Sequence, residues 1–291
     1  MIKTSKTITL LVTLIILLVL FFINSSYIIY NFLDYTKLFY TKLFPVSFIF
    51  FIFSSLLIEY KLLEILPINI SSLYVFLLSM ISGFPSGAKY TKELLDKNYI
   101  SYSSAKEIIL FSHFPNPLFL LGPINTIIKD TSTCIKLLIS IILSNFIIFL
   151  FCKKEKKSIN KTSSSNSFSY ILNKSIISSF KTILIIYGTS IFFYLISSII
   201  TKYFSLNSYL YVLLCGIFDL TKGVFSTVII NNINIRIIFI LLFISFGSIS
   251  IHMQVKSILN DNSLYKSFIK GRIISTILVF IIFIILCKFV P

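Results

Sequence analysis

Apolar runs of near-membrane length dominate this 291-residue chain, at roughly 7 to 30, 43 to 59, 134 to 152, 181 to 200 and 272 to 289. A bilayer core needs about 20 apolar residues per helix, and backbone polar groups inside it must be satisfied within the segment. The chain is therefore expected to be an all-α polytopic membrane protein. Composition agrees: 56% of residues are hydrophobic and 12% charged, with a mean hydropathy of +0.95, more apolar surface than a soluble core of this length hides. The formal charge of +16 would suggest nucleic acid in a soluble protein. Here the 26 basic residues sit mostly between apolar runs, where they act as topology signals, so the expected partner is the lipid bilayer and not nucleic acid. Cys134, Cys152, Cys215 and Cys287 lack paired spacing, which supports neither a zinc site nor a disulfide framework. No metal or cofactor is expected.

Four further apolar stretches are interrupted. Residues 67 to 83 run into "SGFPSGAK", 105 to 126 contain "HFPNPLFLLGP", 208 to 218 end in "DLTKG", and 236 to 253 contain "FGSISIHMQV". The basic start and long apolar core of residues 1 to 27, with no small-residue cleavage site, predict an uncleaved first helix whose N-terminus is cytoplasmic. The segment 152 to 169 is rich in lysine, serine and asparagine, too polar to bury a core, and reads as a flexible cytoplasmic linker. The chain thus divides into an N-terminal helix and loop (1–40), a first repeat (41–152), the basic linker (153–170) and a second repeat (171–291). Within each repeat the two intact spans start 91 residues apart, at 43 and 134 and at 181 and 272, with two interrupted segments between them. The chain's two histidines, His113 and His252, fall at matching places on this arithmetic.

Lysine placement gives orientation. If 67 to 98 is a hairpin that dips into the membrane and returns, "KYTKELLDK" and the basic linker both lie inside, as the positive-inside rule requires. The second hairpin, about 206 to 233, then dips from the outer face, and Lys256, Lys266, Lys270 and Arg272 fall inside. Two inverted repeats, each with a broken or re-entrant hairpin, are the arrangement of many secondary transporters. The alternative for 67 to 98 is a full span with a tight turn, which would place the linker's lysines outside.

Irregular backbone at membrane depth persists only where protein or a watery cavity surrounds it. Gly83 and Gly87 permit close approach, and Pro85 ends a helix. A charge at a span's centre costs ~2.5 to 3.5 kcal/mol, so Lys89, Asp219 and Lys222 are expected near an interface or a polar interior. The candidate substrate-binding residues are Gly83, Ser86, Gly87, Lys89, Asn116, Asp219, Thr221, Gly223, Ser250, His252 and Gln254. Each also has a plain structural reading: a surface turn for the glycines, snorkelling for Lys89, helix pairing for Asp219 with Lys222, a satisfied structural imidazole for His252. No enzyme is expected. Ser86 sits one place too late in Gly83–Gly87 for a nucleophile elbow, and no phosphate loop, metal-histidine pair or dinucleotide fingerprint is present.

"SGFPSGAKYTKELL", "FSHFPNPLFLLGP", "DLTKG" and "FGSISIHMQVKSIL", in this order, resemble the YlbJ-type sporulation integral membrane proteins of the nucleoside-recognition or Gate domain group. The resemblance implies a multi-pass protein of the mother-cell or forespore membrane of endospore-forming bacteria, needed for spore formation and distantly nucleoside-transporter-like in fold. It implies no substrate. The family tends to show Glu at Asp219, Gly at Ser248, and Asn and Gly-Pro at His113 and Asn116-Pro117, whereas His252 and Gln254 match its pattern. The leading expectation is a transporter-like or solute-recognising protein, with a small polar or anionic solute near the midplane between hairpin tips. The alternative is a non-transporting scaffold that recruits other sporulation membrane proteins through its linker. Oligomers are compatible with either.

Overall fold

A computed structural model describes residues 2–60, 71–152 and 167–289, the side chains of 2–6 and 46 excepted. The described residues form helices and connecting turns without strands. Four helical stretches are long and apolar enough to cross a bilayer: Thr131–Phe151, Phe168–Tyr203, Ile233–Leu259 taken through its break, and Asn262–Phe289. A bent pair, Thr7–Ile23 with Ser25–Leu43, raises the number to five if its two arms are counted as one span. The chain is an all-α polytopic membrane protein. Residues 153–166, most of the expected linker, lie outside the described residues.

Polar residues cut the apolar sequence into these helices by capping them. Ser101, Asn116, Asp130, Asn207, Asp219, Asn232 and Ser248 each precede a helix and accept one of its first N–H groups through the side chain. Such groups otherwise lack a partner. Asn98, Lys129 and Asn260 end helices in the left-handed conformation.

The first apolar run departs from the expected single span over 7 to 30. It breaks at Asn24, and the helices on either side meet at 93°. Asn24 Nδ2 donates to the Leu20 carbonyl at 2.7 Å and to the Tyr203 hydroxyl at 2.9 Å, so its side chain ties the break to the end of the long helix. From Ser25 the chain runs antiparallel to the long helix Phe168–Tyr203. Thr36 meets Tyr187, Phe48 meets Phe180, and Glu59 meets Lys174 at 3.0 Å. A π-helical stretch, Phe39–Leu43, lies within this companion.

Two hairpins follow. The first consists of α4 (Ser71–Ser82) and α5 (Ser86–Asp96); α1 to α3 denote Ile2–Ile23, Ser25–Leu38 and Phe44–Glu59. The chain leaves α3 at Glu59, and Lys97 is back beside Glu59 at 2.7 Å. The segment therefore returns to the level it left, as the hairpin reading of 67 to 98 expected. The second hairpin consists of Ser208–Phe218 and Leu220–Ser226. It hangs from Tyr203, the opposite end of the long helix, and Lys222 on its returning arm donates to the Ser198 hydroxyl and the Tyr194 carbonyl. The hairpins thus enter from opposite ends and meet between them.

After each hairpin comes a broken segment and then an intact span. Tyr102–Phe111 and Pro117–Ile128 precede Thr131–Phe151, and Ile233–Phe246 and Ile249–Leu259 precede Asn262–Phe289. Corresponding helices open on Pro85 and Asp219, Ser101 and Asn232, Asn116 and Ser248, and Asp130 and Asp261. These pairs are 131 to 134 residues apart, not the 139 that separates His113 from His252. His113 consequently sits inside its break, whereas His252 lies one turn into the following helix. The histidines still converge in space, with both imidazoles edge-on to Phe268 at 4.6 and 4.9 Å between ring centres.

Candidate functional site: a chamber between the hairpin tips

The long helix supplies a depth gauge. Lys181 and Lys202 bracket 20 residues without a charge, the length that spans a hydrocarbon core. Ser190 lies at the middle of that stretch. A cavity of about 80 Å³ opens at its level, lined by Ser82 and Phe84 from the first hairpin tip, Asp219 and Thr221 from the second, and Ser250 and Gln254 from Ile249–Leu259. Ser47, Asn116 and Ser190 complete its polar wall, with Phe39, Phe119 and Ile183 among the apolar lining. That volume admits several waters.

Asp219 is the only ionisable group in this lining, and it is fully buried. One carboxylate oxygen accepts the Lys222 N–H at 3.0 Å, and the other accepts the Ser250 hydroxyl at 3.0 Å. The Ser248 hydroxyl lies 2.8 Å from that of Ser250. Since Ser250 donates to the carboxylate, Ser248 donates to Ser250, giving a polarised chain that ends on Asp219. The carboxylate also sits at the N-terminus of the returning arm, where the helix dipole favours negative charge. Across the chamber, Gln254 Nε2 donates to the Ser190 hydroxyl at 3.0 Å.

The first tip is shaped by close packing. Gly83 has φ +78°, and a Cβ there would stand 2.6 Å from the Asn116 nitrogen. Only glycine meets both conditions. Asn116 in turn accepts the Leu118 N–H at 2.8 Å and donates to the Ser82 carbonyl at 3.4 Å, which ties the tip to the neighbouring broken segment. At Gly87 a Cβ would fall 1.6 Å from the Ser112 carbonyl oxygen, so α5 lies directly against that break.

Of the eleven candidate residues, the fold brings Asn116, Asp219, Thr221, Ser250 and Gln254 to the chamber wall, and Gly83 against it through Asn116. The others lie elsewhere. Ser86 is buried, and its hydroxyl has no hydrogen-bond partner among the described residues. Gly87 and Gly223 are packing positions, the latter against Gly216 and Phe243. Lys89 turns away to donate to Ser55 at 2.9 Å, with its ammonium over the Phe51 ring. His252 also faces away: Nε2 meets the Phe246 carbonyl at 3.3 Å, and Nδ1 the Tyr265 hydroxyl at 3.2 Å. A carbonyl can only accept, so Nε2 carries the proton and the imidazole caps the end of Ile233–Phe246.

Sequence reasoning missed Ser82 and Ser190, single serines in apolar helices whose importance depends on which face they present. It also placed Arg272 at the cytoplasmic surface, which the structure corrects. Arg272 is 1% exposed, enclosed by the broken segments and Thr131–Phe151. No known protein family, curated protein or solved structure matches the chain.

Proposed function

We propose that this integral membrane protein is transporter-like and recognises a small polar solute in the midplane chamber. The observation that carries the reading is Asp219: a carboxylate at the tip of one hairpin, in the wall of a cavity shared with the other, at the depth where charge is most costly. Broken helices that meet at a midplane cavity from opposite faces are the architecture of alternating-access carriers. Hydroxyls of Ser190, Ser250 and Thr221 and amides of Asn116 and Gln254 offer both donors and acceptors. Lys89 and Lys222 are directed elsewhere, so the lining favours a neutral or amine-bearing solute over an anion. The sequence resemblance to sporulation membrane proteins supports a role in endospore formation, and Asp219 is the residue through which we link that role to the chamber.

The test is a thermal-stability screen of the purified full chain against nucleosides, amino acids, amines and small anions. A ligand of the chamber raises the unfolding temperature of the native protein and has no effect on Asp219→Asn or Gln254→Ala. Absence of any stabilising solute, or one indifferent to both substitutions, overturns the site. In a spore-forming host, Asp219→Asn is expected to reduce sporulation while membrane levels stay normal.

A further inference from the structure

A second, larger cavity of about 620 Å³ lies one to two helical turns from the chamber in the same crevice. The first hairpin and the helices Phe168–Tyr203 and Ile249–Leu259 contribute to both. From the first hairpin's tip into its returning arm α5 the lining passes from Ser82 and Phe84 to Lys89 and Lys92; along Phe168–Tyr203 it passes from Ser190 and Ile183 to Lys181 and Lys174; along Ile249–Leu259 it passes from Gln254 to Ser257.

The long helix fixes its depth. Thirty-six residues make about 54 Å of helix, against ~30 Å of hydrocarbon. The excess lies at the N-terminal end, because the uncharged stretch begins only after Lys181. Lys174 and Lys181 therefore stand at head-group level, and the cavity with them. Its walls combine these ammonium groups with Ile177, Ile185 and Ile258, and the outer face of the same helix exposes Ile177, Phe180 and Leu184.

Charge in and around the cavity is unbalanced. Lys89, Lys92, Lys97, Lys174 and Lys181 face Glu59, Glu93 and Asp96. Lys92 is paired with Asp96 at 2.7 Å, while Lys97 and Lys174 share Glu59. Lys89 reaches Glu93 only at 4.0 Å although it is 5% exposed, and Lys181 has no acidic partner among the described residues. Five lysines against three carboxylates leave a surplus of two positive charges around the cavity.

We infer that this cavity binds the phosphate of an anionic phospholipid, with Lys89 at its floor, Lys181 at its rim and the acyl chains against the apolar flank of the long helix. Basic pockets between transmembrane helices recognise lipid head groups by this combination of charge and apolar surface. The inference does not depend on the chamber's solute.

The experiment reconstitutes the full chain in nanodiscs of phosphatidylcholine and phosphatidylglycerol in equal parts, then counts lipids retained after detergent extraction by native mass spectrometry. The native protein is expected to retain phosphatidylglycerol preferentially. Lys89→Gln with Lys181→Gln lowers that preference roughly 30-fold, from about one kcal/mol per lysine at a membrane surface, while Lys181→Arg keeps it and Lys288→Gln, at the far end of the last helix, leaves it unchanged. Equal retention of both lipids, or a preference that survives the double substitution in a protein of native unfolding temperature, overturns the inference. Soluble glycerol phosphate is the competing source of the same chemistry: displacement of the lipid at micromolar concentration assigns the pocket to a free phosphate ester and also overturns it. If the double variant fails to fold, Lys181→Gln alone serves, with about a fivefold loss expected.

Discussion

Arg272 donates a 3.0 Å hydrogen bond to the backbone carbonyl of His113. The same nitrogen reaches the Ser245 carbonyl at 3.3 Å, and the second terminal nitrogen reaches Asn145 Oδ1 at 3.0 Å. His113 follows the end of Tyr102–Phe111, and Ser245 lies in the last turn of Ile233–Phe246. These are the corresponding helices of the two sets, and both end with partial negative charge. A single guanidinium thus satisfies two interrupted helices inside the bundle, which explains an arginine buried without a carboxylate.

Removing it strands the Ser245 carbonyl and Asn145 Oδ1 and leaves the His113 carbonyl with only the Asn145 amide at 3.4 Å. Arg272→Ala is expected to cost about 2 to 5 kcal/mol for the stranded acceptors and the vacated volume, read as a large fall in the unfolding temperature of detergent-solubilised protein. Arg272→Lys, which keeps the charge but not the fork, falls between the two. An unchanged melting temperature for Arg272→Ala would show that the guanidinium is not a keystone.

Gly83 and Gly122 make a matched pair. A methyl at Gly83 meets Asn116 backbone at positive φ, whereas a methyl at Gly122 meets nothing within 4 Å. Gly83→Ala is expected to destabilise by about 1 to 3 kcal/mol, and Gly122→Ala to stay within about 0.5 kcal/mol of the native protein. Equal effects would refute the packing assigned to the first tip.

Asp219 has a capping role separable from its charge. Asparagine caps as well as aspartate, so Asp219→Asn should melt near the native temperature, while Asp219→Ala loses roughly 1 kcal/mol for the missing cap. Comparable losses in both variants would mean that the buried negative charge itself holds the hairpin.

Opposite entry of the hairpins is open to direct labelling. In a background without the native cysteines, Lys97→Cys and Asn207→Cys should react with an impermeant maleimide from opposite sides of a sealed vesicle. Labelling of both from one side contradicts the arrangement.

Asp261 gives a pH signature outside the spans. The Leu264 N–H, with the Tyr102 hydroxyl and Ser263 N–H, holds its carboxyl below the usual range against a smaller opposing effect of burial. A depressed pKa contributes stability above the unfolded value, near 3.9, that is lost as pH falls through the folded value. The native protein should therefore lose more melting temperature than Asp261→Asn between pH 6 and pH 3. Parallel curves would remove Asp261 from the acid response.

Fold class, the two interrupted pairs and the hairpin character of 67 to 98 could be read from hydropathy, Gly and Pro placement and lysines, because each is a local property of the chain. Asp219, Asn116 and Gln254 were legible as polar groups at costly depth. The directions of Lys89 and His252 were not, since a partner such as Ser55 or the Phe246 carbonyl is brought near only by tertiary packing. Arg272 misled for the same reason. A basic residue after a run of lysines looks like a surface signal, and only helix ends from distant segments show what it satisfies.

The right-angle break at Asn24 has a geometric outcome. Helix α2 runs alongside the upright Phe168–Tyr203, so α1, which meets α2 at 93°, lies crosswise like a sill at the Tyr203 end of the bundle. Its leucines and isoleucines remain widely exposed, so the rod presents its apolar surface to lipid at a right angle to α2. The surroundings of the second hairpin's entrance are consequently occupied by this rod, and the opposite entrance has no such rod among the described residues.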